Sequence, residues 1–156
     1  MLFRSSSKPK GPSPLAPLGF PSLPPVPSVR IAAGEAGLRY RTRSDLLLVE
    51  LAPKTTAAGV TTKSKTASAP VEWCRACLKT GKGRALVANA GNSNAFTGRA
   101  GVVAVKRTAA AAAKALGCKP AEVYVASTGV IGEPIKVEKI EAAIADRKST
   151  RLNSSH

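Results

Sequence analysis

At 156 residues with 44% hydrophobic content, the chain can build one domain with a real core, and with aromatics at 4% that core must be Ala, Val, Leu and Ile. The formal charge of +15 raises nucleic-acid binding, but the cations run from Arg4, Lys8 and Lys10 to Arg147, Lys148 and Arg151 with few aromatics among them to stack bases. Nucleic acid is therefore an unfavoured partner, small anions such as amino-acid carboxylates suit the charge at least as well, and no apolar run nears the ~18 residues of a membrane helix.

Residues 1–28 read as a Pro-rich, flexible or extended arm. Arg4 with Ser5-Ser6-Ser7, in a stretch free of Asp and Glu, resembles the start of an organellar transit peptide. The prolines from Pro9 to Pro27 oppose the amphipathic helix that such a signal uses, so the cytoplasm is the expected location and an organelle the alternative. Val29–Ala33 suits a short strand, followed by a basic turn at Arg39–Arg43. The nearly continuous apolar run Leu46–Leu51 suits a strand buried on both faces. Pro53-Lys54-Thr55-Thr56 predicts a turn, with Ala58–Thr62 pairing back as a hairpin.

Ser68 followed by Pro70 opens a helix running to Leu78, with Val71, Cys74 and Leu78 as its apolar stripe. Trp73-Cys74-Arg75-Ala76-Cys77 imitates a redox W-C-x-x-C, but that motif should open a helix directly after a strand, whereas this one lies inside a helix. Cys74 then reads as an ordinary buried thiol. No second CxxC completes a zinc site, so no metal is expected. Three cysteines (Cys74, Cys77 and Cys118) argue against a disulfide framework and for a reducing compartment.

Gly81-Lys82-Gly83 is a turn and Arg84–Asn89 a strand; no GxxxxGK[ST] follows, which excludes a P-loop. In Asn89–Gly98 three Asn and two Gly specify a tight loop bonded to itself. Its place at the C-terminal end of a strand is also where α/β proteins hold ligands. A long helix spans Gly98–Leu116 and ends at Gly117. Val102, Val105, Ala109, Ala113 and Leu116 form its apolar face, and Arg99, Lys106, Arg107 and Lys114 a solvated one.

Val123–Ser127 is a strand that stops in Thr128-Gly129, before a Gly-Glu-Pro helix start at Gly132. A hydroxyl and an unhindered backbone N–H at a sheet edge are two donors able to stabilise a developing oxyanion. The same pair is also an ordinary turn. No nucleophile with an activating partner accompanies it. Val137, Ile140 and Ile144 form the stripe of a last helix. After Asp146 the pattern collapses, and residues 147–156 read as an unrelated, disordered tail whose His156 is no catalytic candidate.

Six segments, in order, resemble the N-terminal part of the ornithine acetyltransferase family, the glutamate N-acetyltransferases of arginine biosynthesis. They are G-F-P-S-L-P-P-V at 19–26, R-S-D-L-L-L-V at 43–49, A-G-V-T-T-K-S-K-T-A-S-A-P-V at 58–71, W-C-R at 73–75, A-N-A-G-N-S-N-A-F-T-G at 88–98 and A-S-T-G-V-I-G-E-P at 126–134. The similarity runs from about Pro14 to Asp146. It departs at Arg41-Thr42-Arg43, where the family more often has Lys-Gly, and at Ser93, often Ala.

The resemblance implies a layered α/β sandwich, here an incomplete first domain over residues 29–146. It also implies a precursor that cleaves itself at an Ala-Thr bond into α and β chains, assembled as a heterotetramer of two of each. The new N-terminal threonine takes acetyl from N-acetyl-L-ornithine and passes it to L-glutamate through an acetyl-enzyme. No cofactor is implied, although some members accept acetyl-CoA as donor. The family's S-T-G-V-I-G segment supplies the oxyanion hole, which maps onto Thr128 and Gly129. The cleavage threonine and the lysine, glutamate and asparagine that hold substrate have no counterpart in these residues, so the chain by itself is expected to be a truncated, inactive α chain. Missing strands would leave apolar sheet surface uncovered, so aggregating or partly unfolded material is expected when it is expressed alone. The rival expectations are a small basic module for nucleic acid or an acidic partner, and a non-catalytic remnant with a new partner.

Overall fold

The computed structural model describes residues 15, 17, 19, 21–22, 24–39 and 42–149, except the side chains of 147–149. Most of the Pro-rich arm and residues 150–156 of the expected tail lie outside the described residues. Four strands form one mixed sheet in the order β1 (Val29–Gly34), β2 (Leu46–Leu51), β3 (Ala85–Asn92) and β4 (Val123–Val130). β1–β2 and β2–β3 are antiparallel, whereas β3 and β4 are parallel and joined by the crossover helix α2 (Gly98–Leu116). The other helices are α1 (Ala69–Leu78) and α3 (Val137–Ser149).

The core lies on one face of the sheet. Leu46, Leu48, Ala85, Val87, Val123 and Val125 point to it from the strands, and Val105, Ala109, Ala112 and Ala113 of α2 meet them. Ile140 and Ile144 of α3 complete the cluster, as the spacing of that stripe predicts. Alanines dominate the α2 contact, so helix and sheet approach closely without large side chains. The opposite face carries Leu47, Val49, Leu51, Leu86 and Ala88, all only half-buried, and an exposed Ile31.

Several expectations need correction. β2 is not buried on both faces: its residues alternate between buried and half-buried, because the helices of the core cover one side only. Ala58–Thr62 forms no hairpin, since β1 and β3 already occupy both edges of β2, and only an isolated Thr56–Lys82 bridge remains. In α1 the inward face is Pro70, Trp73, Cys74 and Cys77 rather than Val71, Cys74 and Leu78; Cys77 is the buried thiol and Cys74 is half-buried. Val102 of α2 faces solvent at 45% exposure, its place taken by Gly101 and Ala104. The backbone of α3 stays helical three residues past Asp146, consistent with Arg and Lys being good helix formers even where the apolar stripe has ended.

Candidate functional site

β4 is the outermost strand, so one row of its backbone groups has no neighbouring strand to bond. α1 covers the first part of that row. The Trp73 indole Nε1–H donates to Val123 O at 2.8 Å, and the Cys74 thiol donates to Val125 O at 3.2 Å. Val125 N–H returns a bond to the Cys74 sulfur at 3.4 Å. The two-residue alternation of a strand puts the backbone groups of Ser127 and Gly129 on this same outer edge, beyond the reach of those two side chains.

These contacts also dispose of the redox imitation. Burial pushes the Cys74 thiol up, opposed by its bond to the Val125 backbone, and pushes Cys77 up to about 11, with the charge of Cys74 adding to it. Reactive thiols need the opposite shift. Burial raises Cys118 as well.

Thr128 and Gly129 are both exposed, and they belong to β4 rather than to a turn after it. The strand continues because parallel pairing to β3 persists: Ala90 lies opposite Thr128 and Gly91 opposite Gly129, with an irregularity at Asn92. The chain turns later, and helix α3 starts at Val137 rather than at Gly132. Gly129 has φ +132°, and a Cβ there would stand 2.3 Å from Gly91 C and 2.6 Å from Asn92 N. Only glycine lets the two backbones come this close.

The segment after Gly129 is sewn to the end of β3. Ser93 donates to Val130 O through both its N–H and its hydroxyl, each at 3.0 Å. Gly132 N–H donates to Ala95 O at 2.9 Å, and Asn92 Nδ2 donates to Glu133 O at 2.6 Å. Beside this seam lies a cavity of about 240 Å³ lined by Leu38, Arg39, Asn92, Glu133 and Pro134, with Arg39 and Glu133 paired at 2.6 Å. Asp45, 2% exposed, accepts the N–H groups of Ala36 at 2.6 Å and Leu38 at 2.7 Å and so fixes the loop that brings Leu38 and Arg39 there.

The Asn-rich segment is bonded to itself, as its composition predicts, although β3 claims it as far as Asn92. Asn94 N–H donates to Asn92 Oδ1 at 2.8 Å and Asn94 Nδ2 to Gly101 O at 3.0 Å. Asn94 and Phe96 hold positive φ values of 47° and 55°. What the sequence reading missed is that Asn89 and Asn92 also bond to the β4 segment. The parallel register sets Asn89 opposite Ser127, and that pairing is invisible until β3 and β4 are known to be neighbours. Among the described residues, no group of three or more His, Cys, Asp or Glu side chains is placed to hold a metal ion.

This arrangement has known counterparts. The model of the ArgJ family matches residues 30–155. The chain belongs to the ArgJ family. It is 54% identical over 132 residues to the arginine biosynthesis bifunctional protein ArgJ of Bradyrhizobium diazoefficiens, covering 85% of this chain and 32% of that one. The protein of the same name from Nitrobacter winogradskyi is 54% identical over 136 residues, covering 85% and 33%. The chain thus spans about a third of the length of these relatives. The ornithine acetyltransferase of Mycobacterium tuberculosis, solved in complex with ornithine, superposes with a TM-score of 0.76 at 36% identity, covering 81% of this chain and 69% of that one. ArgJ of Bacillus halodurans gives 0.72 at 28% identity, covering 76% and 62%. The α/β fold of the ornithine acetyltransferase type is therefore that expected from the sequence.

Proposed function

We propose that this chain is part of a glutamate N-acetyltransferase that moves acetyl from N-acetyl-L-ornithine to L-glutamate in arginine biosynthesis, with Thr128 and Gly129 as its oxyanion hole. The observation that carries the reading is the exposed Thr128-Gly129 pair on an outer strand, locked by the Gly91 backbone, in a member of the ArgJ family. A threonine hydroxyl and a backbone N–H set side by side by a rigid sheet stabilise negative charge on an acetyl carbonyl oxygen without reorganising.

In the proposed cycle a threonine Oγ outside these residues attacks the acetyl carbonyl of N-acetyl-ornithine. The oxygen between them becomes negative while Thr128 Oγ and Gly129 N–H donate to it. Collapse breaks the C–N bond, and ornithine leaves with the proton taken from the nucleophile. Glutamate's amine then attacks the acetyl ester and releases the threonine hydroxyl. Thr128 itself is an internal threonine with no free α-amine to act as base, and no Ala-Thr pair occurs in the 156 residues. Alone, the chain supplies donors and no nucleophile, and is inactive. Its partner is the β chain of the same precursor in a heterotetramer, its location is the cytoplasm, acetyl-CoA is a second donor to be assayed, and no cofactor is required. No helix among the described residues is long and apolar enough to cross a membrane.

The test is acetyl transfer from labelled N-acetyl-ornithine to glutamate by the full-length protein carrying these residues. Thr128→Ala is expected to lower kcat about 10²–10³-fold. An unchanged kcat would remove Thr128 from the site.

A further inference from the structure

We infer that Asn89 and Asn92 are positioning residues for the Thr128–Gly129 pair, holding it from both flanks through one continuous line of hydrogen bonds; this rests on the oxyanion-hole reading above. On the near side, the Ser127 hydroxyl, one residue before the pair, donates to Asn89 Oδ1 at 2.7 Å. Asn89 Nδ2 donates onward to Asn92 O at 2.9 Å. On the far side, Asn92 Nδ2 donates to Glu133 O at 2.6 Å, four residues after Gly129. Asn92 Oδ1 accepts Asn94 N–H at 2.8 Å, and Asn94 Oδ1 accepts the Thr97 hydroxyl at 2.7 Å. The line ends in the first turn of α2, where Asn94 Nδ2 donates to Gly101 O.

Three properties make this a positioning device. Asn89 and Asn92 are 5% and 7% exposed, so water cannot replace a lost bond cheaply. The Asn92 amide faces a backbone carbonyl with its nitrogen and a backbone N–H with its oxygen, so a flipped amide would set donor against donor and acceptor against acceptor. Both anchor points bracket the donor pair within four residues, whereas Thr128 and Gly129 are themselves exposed and owe their placement to what lies beneath them. A donor displaced by about 1 Å from the developing oxyanion costs on the order of 100-fold in rate.

The test measures kcat and KM of acetyl transfer in the full-length protein for Asn92→Ala, Ser127→Ala and Ser127→Thr, each alone and combined with Thr128→Ala. Asn92→Ala is expected to lower kcat about 10- to 100-fold and Ser127→Ala about 10-fold, with KM within about twofold. Ser127→Thr, which keeps the hydroxyl donor to Asn89, should restore kcat. In the Thr128→Ala background either Ala substitution should cost clearly less than it does alone, because one of the two donors it positions is already gone and only the Gly129 N–H remains. Losses that multiply in full across the pair would mean a purely structural role and overturn the inference. So would unchanged kcat in Ser127→Ala, which carries the test if Asn92→Ala does not fold. If Thr128→Ala lowers kcat while the Ser127 and Asn92 variants do not, only this inference fails; if Thr128→Ala leaves kcat unchanged, the oxyanion-hole reading fails with it.

Discussion

Replacing Gly129 by alanine should be far more damaging than its single added methyl suggests. The new Cβ would stand 2.3 Å from Gly91 C, 2.6 Å from Asn92 N and 2.7 Å from Gly91 O. Ordinary contact begins near 3.4 Å, so the two backbones must part by about 1 Å, and no side chain can swing aside because all three obstacles are main chain. Residue 129 must in addition hold a φ of +132°, which costs a non-glycine residue about 1–3 kcal/mol. Overpacking adds about 1–3 kcal/mol, giving a loss of about 2–6 kcal/mol. That loss is read as a fall in unfolding free energy by urea denaturation of the full-length protein. Gly117→Ala is the control: its φ of +67° imposes a left-handed penalty of about 1–2 kcal/mol, but nothing lies within 4 Å of its Cβ. Equal losses for the two variants would refute the claim that the β3–β4 approach, rather than backbone handedness, requires glycine at 129.

Other expectations follow from the same geometry. Gly101→Ala should destabilise by about 1–3 kcal/mol in urea despite alanine's better helix propensity, since its Cβ would lie 2.0 Å from Thr97 Oγ1 and 2.6 Å from Asn94 Oδ1; a stabilised variant would contradict this. Asp45→Ala leaves the Ala36 and Leu38 N–H groups without their acceptor and should cost about 2–4 kcal/mol, whereas a loss under about 0.5 kcal/mol would show that the loop has another anchor. Glu138 accepts from its own backbone N–H and from Arg107, which hold its carboxyl below the usual value. Its folded form binds protons less readily, so its contribution is present above the ordinary carboxylate range and is lost as pH falls through the lowered value. Arg107→Gln should shrink that acid-side loss, and an unaltered pH–stability curve would rule the pairing out. Cys77, buried and pushed up to about 11, should resist alkylation at pH 7.5 until the chain unfolds, and rapid labelling of the native state would disprove its burial.

Elements whose signal is local were legible. Gly117 caps α2 with φ +67° and ψ +39°, and the Val137, Ile140 and Ile144 stripe lies in the core as spaced. Elements decided by neighbours were not. Ala58–Thr62 has strand composition, but the edge it would need on β2 belongs to β3. Thr128-Gly129 has turn composition, but pairing with Ala90 and Gly91 extends the strand through it. α1 turns Trp73 inward because its indole finds a backbone partner on β4, a preference that hydrophobic spacing, which shows Cys74 alone of that pair, does not express. The proposed donor pair is visible in the sequence as two residues, whereas the hydrogen bonds of Asn89, Asn92 and Ser127 around it depend on a crossover pairing that only the fold supplies.

The seating of α1 along β4 bears on solubility as well as shape. A bare outer strand is a template on which another chain's strand can add, and short edges or covering elements are how such growth is prevented. Here Trp73 and Cys74 take the outward groups of Val123 and Val125, leaving those of Ser127 and Gly129 as the main stretch still open. Two residues are too short a run to hold a foreign strand in register. The helix that covers the first half of the outer strand thereby guards the sheet against growth at that edge.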